Sequence, residues 1–348
     1  MKQRYRELLR QVEREHREGG GTHKNSHVLV IDGLNTFIRV FSAVPALNDD
    51  GDHIGGVTGF LRSVALAIRQ TKPTRCIVVF DGKGGSRRRK DLYPDYKANR
   101  ANKTAFNRYK EFASLDDEQE SMRYQYSRII QYLDMLPVTL MCIDQVEADD
   151  VMAYIATTLT ASTERVTLVS TDRDFMQLVD DRVSVWSPVK KKLYTPETML
   201  DEFGFPSVNY LLYRTFIGDK SDNINGVNGV GQKTLIKHFP MLAENREVTI
   251  DEVVAYARDS EKRYKVYDTV QDSRDQLELN WKLMQLKEPY MDGRTMSMVR
   301  HLYNEDITKI NVLEFKKMFM ADKLYTVIKD VDAWLSTSFN SLNAYASL

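Results

Sequence analysis

Four short apolar runs, each rich in β-branched residues, recur along the first half of the chain. They are HVLVID (27–32), RCIVVFD (75–81), PVTLMCID (137–144) and RVTLVSTD (165–172), and each run leads to an aspartate. Three segments with helical periodicity lie between or directly after these runs, at 56–71, 121–137 and 149–159. Strands that alternate with helices predict an α/β fold with a central, mostly parallel sheet flanked by helices. Continuous apolar runs suit strands that are buried on both faces.

The hydrophobic pattern changes after residue 180. VSVWSP (183–188) and KKLYTP (191–196) predict two short strands or a hairpin, and the Thr195–Pro196 pair predicts the start of a helix. Two more helices are predicted in VNYLLYRTFIG (208–218) and QKTLIKHFP (232–240), separated by a turn that contains several glycines. Beyond about residue 243 the chain is predicted to be helical.

Composition excludes a membrane-spanning protein. Hydrophobic residues make up 42% and charged residues 28% of the 348 residues, which is ordinary for a soluble globular protein. No apolar stretch approaches the roughly 20 residues that span a bilayer, and the polar start is unlike a secretory signal. We therefore expect a cytoplasmic location and no membrane partner. Cys76 and Cys142 each lie in an apolar run, which predicts two buried, reduced thiols and suits the same compartment.

The zero net charge hides one strongly basic segment. Ten lysines and arginines lie between Lys83 and Lys110, and only Asp91 and Asp95 oppose them. The next ten residues, EFASLDDEQE, carry acidic side chains and no basic ones. A neutral chain with one such basic segment favours a polyanionic partner that is met at one place.

Carboxylates cluster where the predicted strands end. Glu147, Asp149 and Asp150 lie within four positions directly before a helix; such a cluster alone would suit a solvated helix start. Taken one at a time, Asp32 and Asp81 could be turn residues, Asp172 could be a helix cap, and Asp219 could be a cap or surface acid. The candidate acids together are Asp32, Asp81, Glu147, Asp149, Asp150, Asp172, Asp174, Asp219 and Asp222.

These acids predict a metal site. The carboxyl ends of parallel strands meet in one crevice, where nine carboxylates would repel one another unless cations neutralised them. Oxygen ligands without histidine or cysteine indicate Mg²⁺ or Mn²⁺ and not zinc. Two such ions can activate a water and stabilise the leaving oxygen of a phosphodiester.

Two further segments suit nucleic acid. SRRRKDLYPDYKANR (86–100) mixes cations with Tyr93 and Tyr96, so that phosphates and unpaired bases could both be bound; a solvated loop is the alternative. The turn GVNGVG (226–231) before QKT could let backbone amides approach a phosphate, with Lys233 adding charge, or it could be a plain corner between helices. We expect Gly231 to need a positive φ there.

Seven motifs in one order carry a resemblance to a known family: DGLN, FDG, YPDYKANR, VEADD, STDRDF, GDKSDNI and GVNGVGQKT. Over roughly residues 27–240 the chain resembles the structure-specific 5′-nucleases, which are flap endonucleases and 5′→3′ exonucleases. It is closest in character to the bacteriophage members, which include the T-even phage ribonuclease H. The resemblance implies a PIN-like 5′-nuclease fold with a helical arch and a helix–hairpin–helix element.

The resemblance also implies roles for individual residues. Asp32, Asp81, Glu147 and Asp149 would hold one ion with Asp150 nearby, and Asp172, Asp174 and Asp222 a second with Asp219 close by. The ions would be Mg²⁺, which Mn²⁺ could replace, and the hairpin could recruit K⁺. Lys97 and Arg100 would be catalytic cations at the base of the arch. The DNA contacts would be Arg87, Arg88, Arg89, Lys90, Tyr96, Lys103, Gly229, Gly231 and Lys233.

Four segments and one function follow from this reading. The segments are a basic extension and linker (1–24), an α/β catalytic domain with the arch near 83–120 (25–205), a helix–hairpin–helix DNA-binding region (206–285) and a C-terminal helical region (286–348). The expected activity is metal-dependent hydrolysis near 5′ ends of DNA and RNA–DNA hybrids, which removes RNA primers and flaps.

The expected partners and two alternatives complete the prediction. The partners are DNA with a 5′ flap, nick or RNA primer and replication-fork proteins such as single-stranded-DNA-binding protein, and we expect a monomer. A catalytically weak structure-specific DNA-binding protein is one alternative. A phosphatase with a DxD nucleophile, for which STDRDF could be mistaken, is another. Such enzymes carry the DxD after the first strand, where this chain has the single aspartate of DGLN.

Overall fold

The computed structural model describes residues 24–101, 105–108 and 112–346. The predicted N-terminal extension therefore lies outside the described residues, apart from Lys24. The described strands are β1 (His27–Asp32), β2 (Arg75–Asp81), β3 (Thr139–Ile143), β4 (Arg165–Val169), β5 (Val183–Ser187), β6 (Lys192–Tyr194), β7 (Gly218–Asp219) and β8 (Ile224–Asn225).

The α-helices in the same residues are numbered in chain order. They are α1 (Gly33–Ala43), α2 (Gly55–Thr71), α3 (Arg87–Leu92), α4 (Leu115–Asp134), α5 (Ala148–Tyr154), α6 (Pro196–Phe203), α7 (Tyr210–Ile217), α8 (Gln232–His238), α9 (Ile250–Asp259), α10 (Lys265–Asp272), α11 (Arg274–Met284), α12 (Gly293–Asn304), α13 (Val312–Ala321) and α14 (Val331–Asn343).

The central sheet is mostly parallel, as predicted. Its strand order is β3-β2-β1-β4-β5-β6, and β7 and β8 form a separate pair. Strands β1 to β5 run parallel to their neighbours, whereas β6 pairs antiparallel with β5 and completes the predicted hairpin. Ile31 of β1 pairs with Val78 of β2 and Val169 of β4, so three strands end at nearly the same level.

Each face of the sheet carries its own hydrophobic core, because successive strand residues point to opposite faces. Val28 and Val30 of β1 belong to the core that includes α5, α7 and α11, and Leu29 and Ile31 belong to the core that includes α1, α2 and α4. Phe315 of α13 also packs into the second core. The boundaries predicted at 205 and 285 therefore do not coincide with separate cores.

Two helix starts show how local sequence sets the elements. Thr195 forms a capping box with Thr198 at the start of α6, with Pro196 in the first turn, as predicted. Helix α4 begins at Leu115, earlier than its hydrophobic periodicity predicted. Its N-cap Ser114 accepts a hydrogen bond from the Asp117 N–H, and Asp116, Asp117 and Glu118 occupy the first turn. The acidic run is thus a helix start that suits the helix dipole.

The prediction of two buried thiols is correct for Cys76 and wrong for Cys142, which is exposed. Strand β3 lies at the edge of the sheet, and the face that carries Cys142 is incompletely covered there. No helix among the described residues is long and apolar enough to cross a membrane.

Candidate functional site

The strand ends bring the predicted acids to one edge of the sheet. Asp32 ends β1, Asp81 ends β2, and Asp172 follows β4 by three residues. The Asp81 carboxylate accepts a hydrogen bond of 2.8 Å from the Ala148 N–H at the first turn of α5. This bond fixes the start of the helix that carries the acidic cluster beside the strand ends.

Asp32, Asp149 and Asp172 form the centre of the site, and among the described residues no ion pair reaches any of them. Asp32 accepts hydrogen bonds from the Asn35 N–H at 2.9 Å and from the Ser170 hydroxyl at 3.0 Å. Burial, together with the charges of Asp81 and Asp172, raises the pKa of Asp32 to about 7. Burial, then the charges of Asp172 and Asp32, raises the pKa of Asp149 well above its usual range. These three acids therefore repel one another in a low-dielectric setting.

Lys97 and Tyr96 bind the carboxylates on one side of this centre. The Lys97 ammonium donates to Glu147 and lies 4.0 Å from Asp222, and the Lys97 N–H donates to the Asp222 carbonyl at 2.9 Å. Lys97 has a φ of 57°, a backbone conformation that costs energy for a residue with a Cβ. Although burial acts to raise the pKa of Glu147, the charges of Arg89 and Lys97 hold it below its usual range.

Tyr96 was predicted to contact DNA, and the structure corrects this role. Its side chain is 3% exposed, and its hydroxyl donates to Asp222 at 3.1 Å and to Glu147 at 3.3 Å. A buried ring in this position cannot stack on a base. Tyr96 instead links the basic segment to two of the candidate ligands.

Arg89 was also predicted to contact DNA, and this prediction is wrong because the residue is only 4% exposed. Its guanidinium donates to both oxygens of Asp150, at 2.6 Å and 3.1 Å, and to Glu147. Tyr290 donates its N–H to Asp150 at 3.2 Å. Both Asp150 oxygens thus have protein donors, so we revise Asp150 from a possible metal ligand to the partner of Arg89.

Arg214, which the sequence did not single out, neutralises the other side of the site. It donates to Asp174 at 2.7 Å and to Asp219 at 2.5 Å. Burial raises the pKa of Asp174 to about 7, because the lowering effect of the Arg214 charge is smaller and the negative charge of Asp172 raises the pKa further. Ser221 donates from its N–H and hydroxyl to Asp219 at 2.7 Å and 2.6 Å. The sequence signal was weak: one arginine five residues before Asp219 on a helix.

The end of α11 and the segment after it, for which no role was predicted, form the back of the site. Arg89 donates to the Leu283 carbonyl at 2.9 Å, and the Tyr290 ring lies 5.2 Å from the Arg89 guanidinium. Gln177, three residues after Asp174, donates to the Met284 carbonyl at 2.9 Å. Both flanks of the carboxylate cluster are therefore anchored to the same C-terminal segment.

The donor set fits a divalent cation in chemistry, although its arrangement here is not that of a complete ion site. Within the described residues, no three acidic, histidine or cysteine side chains are grouped closely enough to hold an ion. Lys97, Arg89 and Arg214 occupy the outer carboxylates instead. The central acids offer only oxygen atoms, the ligands of Mg²⁺ and Mn²⁺, and their mutual repulsion is what a cation would relieve.

The remaining predicted DNA contacts lie on two surfaces. Arg87, Arg88 and Lys90 of α3 are exposed next to the site. The Arg100 side chain and Lys103 lie outside the described residues, so their predicted roles stay predictions. Lys233 is exposed at the start of α8.

The glycine turn between α7 and α8 differs from its prediction at one position. Gly231 has a φ of −113°, which any residue adopts, so the expectation that it needs a positive φ is wrong. Gly229 has a φ of +73°, in the region that favours glycine. At Gly226 a Cβ would lie 2.2 Å from the Ile217 carbonyl oxygen. The special backbone positions of the turn are therefore 226 and 229.

Gly229→Ala should lower the free energy of unfolding by about 1 kcal/mol, because a Cβ disfavours this left-handed backbone. Gly231→Ala is the matched control and should be neutral, since a Cβ there meets no atom within 4 Å. Urea denaturation of the two variants measures the difference. Equal costs would show that φ is not what fixes glycine at 229.

Comparisons with known proteins agree with this geometry. The model of the 5′-3′ exonuclease N-terminal resolvase-like domain matches residues 27–204. The thermostable DNA polymerase I of Thermus thermophilus is 32% identical over 257 residues, which cover 73% of this chain but only 28% of the polymerase. The 5′-3′ exonuclease of Aquifex aeolicus is 27% identical over 301 residues, 85% of this chain and 95% of the exonuclease.

A solved structure shares the fold. The bacteriophage T5 flap endonuclease, in a pseudo-enzyme–product complex with DNA and metal ions, superposes with a TM-score of 0.60 at 21% identity, covering 86% of this chain and 99% of that one. The parallel sheet, the acids at its strand ends and a family model that covers just over half of the chain lead to one conclusion: this protein belongs to the 5′-3′ exonuclease family.

Proposed function

We propose that the protein is a structure-specific 5′-nuclease that hydrolyses phosphodiester bonds near the 5′ ends of DNA and RNA–DNA hybrids and removes primers and flaps. One observation carries the proposal: Asp32, Asp149 and Asp172 form a mutually repelling carboxylate centre at the strand ends, directly beside the exposed cations of α3. The Aquifex relative is named a 5′-3′ exonuclease, and the T5 neighbour a flap endonuclease in complex with DNA.

The proposed cofactors are two divalent ions, Mg²⁺ with Mn²⁺ as a substitute. Asp32, Asp81, Glu147 and Asp149 would hold one ion, and Asp172, Asp174 and Asp222 the other, with Asp219 close by. When bound, such ions activate a water and stabilise the leaving oxygen. K⁺ at the glycine turn remains a proposal of the same kind, supported by the resemblance alone.

The protein's own groups hold the reactants in place. Arg214 binds Asp174, and Arg89 binds Asp150. These ion pairs hold the outer carboxylates in place beside the central ones, Asp32, Asp149 and Asp172, during the reaction. Arg87, Arg88 and Lys90 would attract the phosphates of a 5′ single strand. The proposed partners of the protein are therefore DNA molecules with a 5′ flap, a nick or an RNA primer. A cytoplasmic monomer that works beside single-stranded-DNA-binding protein stays part of the proposal.

Cleavage assays on labelled substrates test this function. We expect hydrolysis of 5′-labelled flap, nicked and RNA–DNA hybrid substrates in Mg²⁺, and none after chelation by EDTA. Binding to a flap without cleavage in Mg²⁺ or Mn²⁺ would instead support the structure-specific DNA-binding protein.

Lys97→Ala should lower the single-turnover rate by roughly a hundredfold, about 3 kcal/mol. The Lys97 ammonium sits among the carboxylates, where negative charge develops on the scissile phosphate. The flap dissociation constant should change by less than about tenfold. Arg88→Ala is the control: it removes an exposed cation from the same segment and should mainly change affinity and its salt dependence. If both variants show only a similar, modest loss of binding, Lys97 is one more phosphate anchor.

A further inference from the structure

A second charged surface lies outside the carboxylate site, on the outer side of α2. A cavity of about 350 Å³ and a neighbouring one of about 450 Å³ share Arg39, Ser63 and Leu66 in their walls, so the two form one continuous groove. We define the cationic groove by its six chemically informative residues: Arg39, Arg62, Leu66, Arg69, Trp186 and Lys191.

Charge in the cationic groove is one-sided. Among the described residues that line it there are four cations and no aspartate or glutamate. Arg69 donates to the Ser338 hydroxyl at 2.7 Å, a neutral partner. Lys191 lines the groove with a φ of 51°, while its neighbours Lys190 and Lys192 both bind Glu202. The groove therefore presents positive charge that acids of the fold do not neutralise.

Arg39 adds a second, independent observation. Its Nε atom is shielded from solvent and has no hydrogen-bond partner among the described residues. The Nη2 atom of the Arg39 guanidinium donates a long hydrogen bond, of 3.5 Å, to the Ser63 hydroxyl. A buried donor without an acceptor costs roughly 1–3 kcal/mol. An anionic acceptor that entered the groove would relieve this cost.

The shape of the groove distinguishes between anions. Arg62 and Arg69 lie seven residues apart on α2, about 10 Å along the helix, and Leu66 is 45% exposed between them. The cavity beside Trp186 has a mainly apolar surface, to which Ile31, Leu66 and Val169 contribute, and Trp186 is half-buried in its wall. Protein surfaces that bind single-stranded nucleic acid present open aromatic faces on which bases stack. This pocket instead suits an aliphatic or aromatic side chain that is flanked by carboxylates.

We propose that the cationic groove binds an acidic peptide segment of another protein, with an apolar side chain of that segment seated in the cavity beside Trp186. Carboxylates two and four residues apart in an extended chain lie on one face, about 7 and 13 Å from each other, so a run of acidic residues can reach both Arg62 and Arg69, which lie about 10 Å apart. Charge complementarity directs the approach, and the apolar side chain provides the buried contact. None of the described residues that line the groove is one of the nine candidate acids, although Ile31, which directly precedes Asp32, lines the cavity.

Fluorescence anisotropy with a labelled six-residue peptide, four aspartates followed by two phenylalanines, tests the proposal on the full chain. We expect saturable binding that weakens with salt. A peptide with serines in place of the phenylalanines should bind at least fivefold more weakly, and one with lysines in place of the aspartates should not bind. Indistinguishable binding of all three peptides would overturn the proposal.

Charge reversal locates the site. Arg62→Glu with Arg69→Glu should weaken peptide binding at least tenfold, and Leu66→Ser should weaken only the phenylalanine peptide. Lys262→Glu with Arg263→Glu makes the same charge change at exposed positions outside the groove and should leave binding unchanged. Equal effects of the two double variants would refute the groove as the site. Two further results together would assign the groove to nucleic acid and would also refute the proposal. They are that single-stranded DNA competes with the peptide, and that the Arg62→Glu/Arg69→Glu variant binds that DNA tenfold more weakly than the parent does.

Discussion

Asp149→Asn is expected to abolish cleavage and, at the same time, to stabilise the metal-free protein. Losing a central carboxylate should reduce turnover by several orders of magnitude, because bound ions supply most of the stabilisation of transition-state charge. In the absence of metal, the same carboxylate is repelled by Asp172 and Asp32. Removing it should therefore raise the stability and the Tm of the metal-free protein.

A cleavage assay measures the first effect, and thermal unfolding with and without Mg²⁺ measures the second. For the parent protein, Mg²⁺ should raise Tm, because an ion that binds only the native state stabilises it. For Asp149→Asn, Tm should begin higher and respond less to Mg²⁺. A variant that keeps the parent's cleavage rate within a few fold would remove Asp149 from the site.

The adjacent residue supplies the control. Asp150→Asn is the same chemical change one position away, but Asp150 is the partner of Arg89 and accepts from Tyr290. Its replacement should lower Tm in the absence of metal, because it leaves the Arg89 guanidinium partly unpaired in the interior. A rise in Tm for Asp149→Asn and a fall for Asp150→Asn would show that Asp149 is repelled by its neighbours whereas Asp150 is paired with Arg89. Shifts of the same sign would contradict this division of the cluster.

The sequence predicted the sheet, and it predicted the edge of the sheet at which the strand-end acids lie. Continuous apolar runs are the pattern of strands buried on both faces, and the acids that followed β1, β2 and β4 were therefore placed correctly at one edge. Helix α4 was predicted to start late because its first turn is acidic and its hydrophobic stripe begins only afterwards. Hydrophobic patterns thus predict the elements whose side chains are buried, and they miss a helical turn whose side chains are charged.

The sequence could not divide the basic segment into exposed and buried cations. RRRK reads as one basic run, yet Arg89 faces the carboxylates while Arg87, Arg88 and Lys90 are exposed. On a short helix, the residue that faces inward depends on where the helix lies against α5 and the segment near Tyr290. That placement comes from contacts far apart in sequence. Arg214 was missed for the same reason.

Arg89→Met is expected to lower the free energy of unfolding by about 3–5 kcal/mol, the cost of breaking a buried ion pair by removing one partner. The change keeps much of the side-chain volume but leaves Asp150 without its charged partner. Among the described residues it leaves Glu147 with Lys97 as its one cation, beside the Tyr96 hydroxyl. Urea denaturation in metal-free buffer measures the loss. Arg88→Met is the matched control, because the Arg88 side chain is 43% exposed, and its effect should stay within about 0.5 kcal/mol.

A double-mutant cycle identifies the cause of the loss at Arg89. If pairing with Asp150 dominates, adding Asp150→Asn to Arg89→Met should cost far less than the sum of the two single changes, with a coupling of about 2 kcal/mol. Additive losses would mean that Arg89 stabilises the fold through other contacts, such as the Leu283 carbonyl. If Arg89 were instead a DNA contact, Arg89→Met would leave unfolding unchanged and reduce the salt dependence of DNA binding by about one phosphate. Its burial against two carboxylates and the Tyr290 ring predicts the first of these outcomes.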